Sequence, residues 1–316
     1  MIDITLANFE AELIQGSMTQ PVLLDIWAPW CGPCKQLGPV LERLETAYAG
    51  RFKLAKLNSD EVPEIASQLS QMFGVRSIPF CVLFSQGQPV DGFVGALPEA
   101  QVREFLDRHV PTGEMVEAAD ELAEAEQLAA QGDLEAALAH LAQAVEADPS
   151  NEVARFDYVR ALLELELLQD AVAAFAPVAA RASDTITPHA RFAALAAWIA
   201  AIEASRGADL PAIQAAIQAN KRDFQARFAL AQTRLAAQDF TGAMDELLEI
   251  IMRDKAWNGE AARKLYVAIL ELLTRPAPKA QAAEAKGTLE LSGRAAVLAG
   301  DPIVDQYRRK LSMALF

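Results

Sequence analysis

Two cysteines with the spacing for thiol–disulfide chemistry lie in the run Trp30-Cys31-Gly32-Pro33-Cys34-Lys35. The run follows an apolar segment typical of a buried strand and opens a segment with helical spacing. We therefore expect Cys31 just ahead of a helix, where free backbone N–H groups and the helix dipole stabilise a thiolate and lower its pKa. Cys34 lies one turn further on, within reach to close an internal disulfide and release a captured substrate.

A zinc half-site is the alternative interpretation of two cysteines at this spacing. A structural zinc site needs a second pair of Cys or His ligands. The third cysteine, Cys81, lies in an apolar segment, and the three histidines are widely separated at His109, His140 and His189. The sequence therefore favours redox chemistry, and we expect neither a metal nor a cofactor.

One carboxylate lies inside the apolar strand that precedes the motif. Burial of Asp25 among apolar neighbours would raise its pKa toward neutrality, which suits proton transfer. A solvated strand end is the alternative for this residue. Cys81 is expected to pack in the core as free cysteines commonly do, and a role in linking clients is its alternative.

Short β-rich runs alternate with helical runs in the first 110 residues. The predicted strands are Val22–Trp27, Phe52–Leu57, Phe80–Phe84 and Val90–Val94, and the predicted helices are Cys34–Ala49, Val62–Met72 and Pro98–His109. Ser85-Gln86-Gly87-Gln88 supplies a hairpin turn between the last two strands. This alternation favours an α/β fold with a mixed sheet flanked by helices.

Length and charge limit the possible functions of the chain. Its 316 residues suggest two folding units. The net charge of −15 repels phosphate backbones, so we expect no nucleic-acid partner. The longest apolar run, within Ala193–Ile202, has about half the length that crosses a bilayer, so we expect no membrane partner. The N-terminus lacks the basic and apolar regions of a secretory signal, and we expect a cytoplasmic protein.

The sequence after Pro111-Thr112-Gly113 is rich in Ala, Leu, Glu and Gln and contains no convincing strand. Gly132–Leu138 aligns with Glu166–Val172 at an offset of 34, and Ala243 follows Ala171 by 72 residues. A period near 34 with a small residue in the second helix is typical of tetratricopeptide repeats. A plain helical bundle is the alternative.

These observations predict a domain over 1–110, a linker over 111–113 and an all-helical repeat domain over 114–316. The repeat domain is predicted to end in a helix at about 301–316. Pro276 and Pro278 are predicted to break the helix before it.

Residues 1–110 resemble thioredoxin in segments that follow that family's order and spacing. These segments are Asp25–Lys35, Ala55–Asn58, Val75–Phe80 and Val94–Ala96. The resemblance implies the thioredoxin fold, with Cys31 as the attacking thiolate and Cys34 as the resolving thiol of a redox disulfide. It also assigns Asp25 to handling the proton of Cys34, with Lys56 as the neighbouring lysine.

The same resemblance implies a substrate-binding surface. Its residues are Trp30, Gly32, Pro33, Ile78, Pro79 and Gly95. Pro79 matches the cis-proline that faces the disulfide, and the backbone of Ile78 would pair with bound peptide. The residues alone leave two alternatives open, since Lys56 also fits an outward position on a strand and Ile78-Pro79 also fits an ordinary trans turn.

The whole chain resembles the chaperedoxin family, in which a thioredoxin domain precedes tetratricopeptide-like repeats. The resemblance extends to Gly87–Phe93 and to Asp305–Phe316. It implies a stress-response holdase that binds unfolded or oxidised client proteins, shields their thiols through mixed disulfides and passes them to the GroEL chaperonin and the DnaK system. Since both cysteines are present, we also expect protein disulfide oxidoreductase activity, with electrons from thioredoxin reductase. A disulfide reductase targeted by its repeats and a non-enzymatic co-chaperone scaffold are the alternatives.

The C-terminal segment combines a basic cluster with apolar residues. The residues predicted to bind a partner are Tyr307, Arg308, Arg309, Leu311, Leu315 and Phe316. An amphipathic helix can place such anchors in a partner's groove, and the family resemblance favours docking to the chaperonin. The alternative is a helix that simply closes the repeat stack.

Overall fold

The computed structural model of the chain describes residues 1–184, 189–274 and 301–315. The chain divides into two compact units, Met1–Glu117 and the part from Ala118 onward. A mixed sheet with flanking helices forms the first unit and helices form the second, which confirms the predicted fold class. Pro276, Pro278 and Phe316, which carry predictions, lie outside the described residues.

Five strands form the sheet of the first unit in the order β1-β3-β2-β4-β5. They are β1 (Ile2–Asp3), β2 (Val22–Trp27), β3 (Lys53–Asn58), β4 (Phe80–Ser85) and β5 (Gln88–Val94). β1, β3 and β2 are parallel to one another, and β4 runs antiparallel to both of its neighbours, β2 and β5. β2 therefore lies at the centre of the sheet, and the redox motif follows its carboxyl end.

Helices cover both faces of this sheet. They are α1 (Gly32–Ala47), α2 (Pro63–Phe73) and α3 (Glu99–His109). Side chains alternate along a strand, so Leu23 packs with α1 and α3 while Leu24 packs with α2 on the opposite face. Asp25 follows this alternation onto the α1 face.

The remaining helices form the repeat region. They are α4 (Gly113–Gln131), α5 (Leu134–Ala147), α6 (Glu152–Glu164), α7 (Leu168–Phe175), α8 (Ala179–Ala182), α9 (Ala190–Ser205), α10 (Leu210–Ala219), α11 (Phe224–Ala236), α12 (Phe240–Ile251), α13 (Trp257–Leu273) and α14 (Pro302–Leu315). Seven of them begin at a side-chain cap that accepts a hydrogen bond from the backbone N–H three residues later, which satisfies a free donor of the first turn. The caps are Thr112, Asp133, Asn151, His189, Asp209, Asp223 and Asp239.

The repeated small residues lie where the sequence predicted close helix contacts. Ala137, Ala171 and Ala243 are all fully buried. The turn before each of their helices contains one residue of positive φ, and these are Gly132, Glu166 and Gln238. The equivalent turns thus share one backbone conformation although only one of them contains glycine.

Two buried arginines repeat with the helices, and their burial was not predicted from the sequence. Arg155 and Arg227 each lie four residues after a capping residue, and each guanidinium donates to a carbonyl oxygen in the preceding loop, that of Pro149 and that of Lys221 respectively. Arg155 also donates to the carbonyl of Ala174. These bonds tie each loop to the helix that follows it.

Candidate functional site

Cys31 and Cys34 form a disulfide at the start of α1. Cys31 is the capping residue, with extended backbone, and its Sγ accepts a hydrogen bond from the backbone N–H of Cys34 at 3.2 Å. Pro33 occupies the first turn, where its missing N–H leaves no helical acceptor unpaired. The same N–H and the helix dipole would stabilise a thiolate at Cys31 after reduction.

The disulfide lies at a surface with exposed apolar groups. Both sulfur-bearing residues are buried against Ala28, with Ile78 packed beside them. Trp30 is 69% exposed, and its Nε1–H donates to Asp60 Oδ2 at 3.0 Å. Gly32 and Pro33 are also exposed. A partner that reaches the disulfide therefore meets an aromatic ring fixed by a carboxylate.

The Ile78–Pro79 peptide bond is cis, the isomer that the resemblance implies. The carbonyl of Pro79 accepts a hydrogen bond from the N–H of Gly95 at 2.8 Å, and Gly95 has a left-handed backbone with φ +89°. Within the described part of the chain the backbone of Ile78 makes no hydrogen bond. Its N–H and C=O groups remain available to an extended segment placed beside the disulfide.

Asp25 is the buried carboxylate of this face of the sheet, only 2% exposed. The strand register places Lys56 opposite it on β3 and Cys81 opposite it on β4. Burial raises the pKa of Asp25 to about 6, and the Lys56 charge and the Cys81 hydrogen bond offset part of that rise. A carboxyl group that titrates near neutral pH can both accept and release a proton.

Cys81 is buried, as predicted, and it also makes a hydrogen bond. Its thiol donates a hydrogen bond to Asp25 Oδ1 across 3.7 Å. Burial, together with the Asp25 charge, raises the pKa of the Cys81 thiol well above its ordinary value. Cys81 is therefore a protonated donor, not a nucleophile.

The residues predicted to bind a partner lie on both sides of α14. Tyr307 is buried, and Leu311 and Leu315 pack against the core of the repeat region. Arg308 donates to the hydroxyl of Thr274, whereas Arg309 is exposed. In this arrangement α14 closes the helix stack, and only its outer side can meet another protein.

Residues 1–184, 189–274 and 301–315 contain no helix long and apolar enough to cross a membrane. They also contain no group of three or more His, Cys, Asp or Glu side chains arranged to hold a metal ion.

Comparison with known proteins finds two kinds of sequence in the chain, a thioredoxin part followed by tetratricopeptide repeats. The thioredoxin family model matches residues 1–108, and two tetratricopeptide repeat models match 128–199 and 203–286. Thioredoxin 1 of Synechococcus elongatus is 43% identical over 107 residues, which cover 34% of this chain and 94% of the relative. Thioredoxin of Haemophilus influenzae is 44% identical over 104 residues, 33% of this chain and 92% of the relative.

A further relative supports the same assignment. Thioredoxin of Chlorobaculum thiosulfatiphilum is 45% identical over 103 residues, which cover 33% of this chain and 90% of the relative. These matches span nearly the whole of each relative, and the redox pair lies within the residues 1–108 that the family model matches. The chain therefore belongs to the thioredoxin family through its first 108 residues, with a thioredoxin-type dithiol–disulfide centre, and continues into tetratricopeptide repeats.

Proposed function

We propose that this protein is a redox-active holdase of the chaperedoxin kind. Its first unit exchanges disulfides with client proteins, and its helical repeats hold unfolded or oxidised clients so that they neither aggregate nor lose their thiols to over-oxidation. Clients then pass to the GroEL and DnaK refolding systems in the cytoplasm. One observation carries this proposal: a Cys31–Cys34 disulfide beside an exposed Trp30 in a chain that continues into tetratricopeptide repeats.

The exchange reaction needs only thiols and disulfides. The Cys31 thiolate attacks one sulfur of a client disulfide, forms a mixed disulfide and displaces a client thiolate. Cys34 then gives its proton to Asp25 and attacks Cys31 Sγ, which releases the second client thiol and closes the Cys31–Cys34 bond. Two electrons have moved from this protein to the client. Thioredoxin reductase, as the proposed electron donor, would return them.

The backbone of Ile78 supports a role in holding the client during this exchange. Its unpaired N–H and C=O groups lie next to the cis-proline, and the residue itself packs beside the disulfide. An extended client segment that pairs there would present its own disulfide to Cys31. Trp30 would cover the apolar side chains of that segment.

The redox half of the proposal is tested by insulin reduction with NADPH and thioredoxin reductase. We expect the wild-type chain to reduce insulin and Cys34→Ser to accumulate mixed disulfides with clients. The matched control is Cys31→Ser/Cys34→Ser, which retains only the buried Cys81 and should form none. Absence of insulin reduction by the wild-type protein would remove the oxidoreductase claim and leave a co-chaperone scaffold.

The holding half is tested by the aggregation of a thermally unfolding client. We expect equimolar wild-type protein to suppress light scattering, and Cys31→Ala/Cys34→Ala to suppress it as well if holding is independent of the redox pair. A wild-type chain that reduces insulin but leaves aggregation unchanged would contradict the holdase. The targeted disulfide reductase would then be the better description.

Transfer to the chaperonin is proposed to use the exposed side of α14. Arg309 and Met313 lie on that side, and Met313 is 74% exposed. We expect Arg309→Glu/Met313→Ala to weaken co-elution with GroEL while the melting temperature stays unchanged. Undiminished co-elution of this variant and of a chain lacking 305–316 would refute docking by the C-terminal helix.

A further inference from the structure

An ion pair between α1 and β3 lies next to the buried carboxylate of the redox site. Lys56 is opposite Asp25 in the β2–β3 register, yet its ammonium binds Glu42 Oε1 on α1 at 2.6 Å. Within the described residues no ion pair of 4.0 Å or less joins Lys56 to Asp25. The side chain of Lys56 is only 16% exposed, so its charge is held in place near Asp25 without bonding to it.

Gly38 lies beside the path that the Lys56 side chain takes to Glu42. Gly38 and Glu42 are four residues apart on α1 and therefore lie on the same side of the helix. A Cβ at Gly38 would lie 3.6 Å from Lys56 Nζ, which shows how closely the ammonium runs along this part of the helix. The Lys56 ammonium thus lies on the α1 surface between Gly38 and the carboxylate of Glu42.

We propose that Glu42 is a positioning residue for the dithiol reaction, which holds the Lys56 ammonium on α1 and away from the Asp25 carboxylate. This inference rests on the exchange reaction proposed above. Besides burial, the groups that shift the pKa of Asp25 are Lys56 from β3, Cys81 from β4 and Glu42 from α1. A direct Lys56–Asp25 ion pair would fix the carboxylate in its charged form and make it a poor proton acceptor for Cys34.

Substitution of Glu42 and substitution of Lys56 should shift the pKa of Asp25 in opposite directions. Lys56 lowers the pKa of Asp25, and Glu42 raises it. Glu42→Gln removes a negative charge and also frees the ammonium to approach Asp25, so both effects lower the pKa of Asp25. Lys56→Gln removes the positive charge and raises it.

The test is a carbon-13 NMR titration of the Asp25 carboxyl group in the full-length oxidised protein. We expect Glu42→Gln to move the titration midpoint down by about half a pH unit or more. In the Lys56→Gln background the same Glu42→Gln change should have less than half of that effect, because Glu42 acts mainly through the lysine. An unchanged or raised midpoint, or an equal effect with and without Lys56, would overturn the proposal.

Glu45→Gln provides a matched control on the same helix. Glu45 also joins α1 to β3, since its Oε1 accepts a hydrogen bond from the Leu54 N–H at 2.7 Å, and it does not act on Asp25. We expect this variant to leave the Asp25 midpoint in place, because the glutamine Oε1 still accepts from the Leu54 N–H and only the charge is lost. An equal midpoint shift in Glu45→Gln would show that loss of any negative charge from this helix has the same effect, and would refute positioning by Glu42. The titration needs no client, so an inactive wild-type protein in the insulin assay would count against the exchange reaction alone.

Discussion

The thiol of Cys81 donates a hydrogen bond to the carboxylate of Asp25 from the neighbouring strand, with 3.7 Å between Sγ and Oδ1. The two residues are direct partners in the β2–β4 register, and both are almost completely buried. A hydrogen bond to the ionised form of an acid favours ionisation. The third cysteine of the chain therefore favours the charged form of Asp25.

Replacement of Cys81 by valine should raise the pKa of Asp25 by about half a pH unit, because the charged carboxylate loses a donor in a buried site. The measurement is the pH dependence of insulin reduction together with the NMR titration of Asp25. Cys81→Ser is the control, since its hydroxyl keeps a donor in the same place. Equal titration midpoints in the valine, serine and wild-type proteins would contradict the effect of this bond.

Asp25 itself should reduce the stability of the folded protein at neutral pH. Its pKa is 3.8 in the unfolded chain and about 6 in the folded one, so the folded state holds the proton more tightly. Stability then falls as pH rises from about 4 to about 6, and the cost above that range is about 3 kcal/mol. We expect Asp25→Asn to recover up to about that amount in urea unfolding at pH 7 and almost none at pH 4.

The same substitution should slow resolution of the mixed disulfide, because asparagine cannot accept the proton of Cys34. A variant that is equally stabilised at both pH values would show that ionisation of Asp25 is not the cause. Unfolding at several pH values between 4 and 7 decides between the two outcomes.

Gly92 on β5 should tolerate no side chain. A Cβ there would lie 2.7 Å from the carbonyl oxygen of Cys81 and 3.2 Å from the ring of Phe80. Because the backbone of β4 cannot move without disturbing the sheet, we expect Gly92→Ala to cost about 1–3 kcal/mol in urea unfolding. Gly113→Ala is the control, with nothing within 4 Å of its added carbon. A loss of similar size in both variants would refute the steric explanation.

Tyr307 should hold the C-terminal helix to the repeat stack. It is 5% exposed, and the hydroxyl of Tyr266 donates to its backbone carbonyl at 2.8 Å. We expect Tyr307→Ala to destabilise the repeat region by about 3 kcal/mol in thermal unfolding, because a large buried ring is lost. Met313→Ala on the exposed side should stay within about 0.5 kcal/mol of wild type. Equal stability of the two variants would contradict a closing role for α14.

The local pattern of the sequence was enough to predict most of the first unit. The alternation of apolar runs located β2 to β5 and the three helices within a few residues, because each element buries a regular pattern of side chains. Ile2–Asp3 and the π-helix Glu10–Gln15 were missed, since two residues show no alternation and a π-helix has no distinct apolar period. Cys31 and Cys34 form a disulfide in the structure, which agrees with the redox interpretation of their spacing.

Pairs that only the folded chain brings together could not be predicted in this way. Glu42 and Lys56 meet because β3 lies under α1, and no spacing in the sequence signals that contact. Cys81 reaches Asp25 through the strand order of the sheet. The apolar spacing of Tyr307, Leu311 and Leu315 predicted one face of a helix correctly, but it did not say whether another protein or the chain's own core covers that face.

The recurrence of the two buried arginines is visible in the sequence itself. Arg155 and Arg227 occupy the same position after Asn151 and Asp223, in repeats 72 residues apart. Arginine is mostly exposed in folded proteins, so its recurrence alone does not predict a buried position. In the structure the two side chains satisfy equivalent loop carbonyls. A polar residue that recurs in register with helix caps is therefore a sign of shared architecture.

Every hydrophobic core cluster of the described residues draws on one unit alone. Those around the sheet use residues up to Val110, and those of the helical stack use residues from Leu122 onward. A lineage that lost Cys31 or Cys34 would therefore keep the core of the helical stack, and one that altered the stack would keep the core around the thiol pair. Selection can act on either unit of such a chain while the other persists.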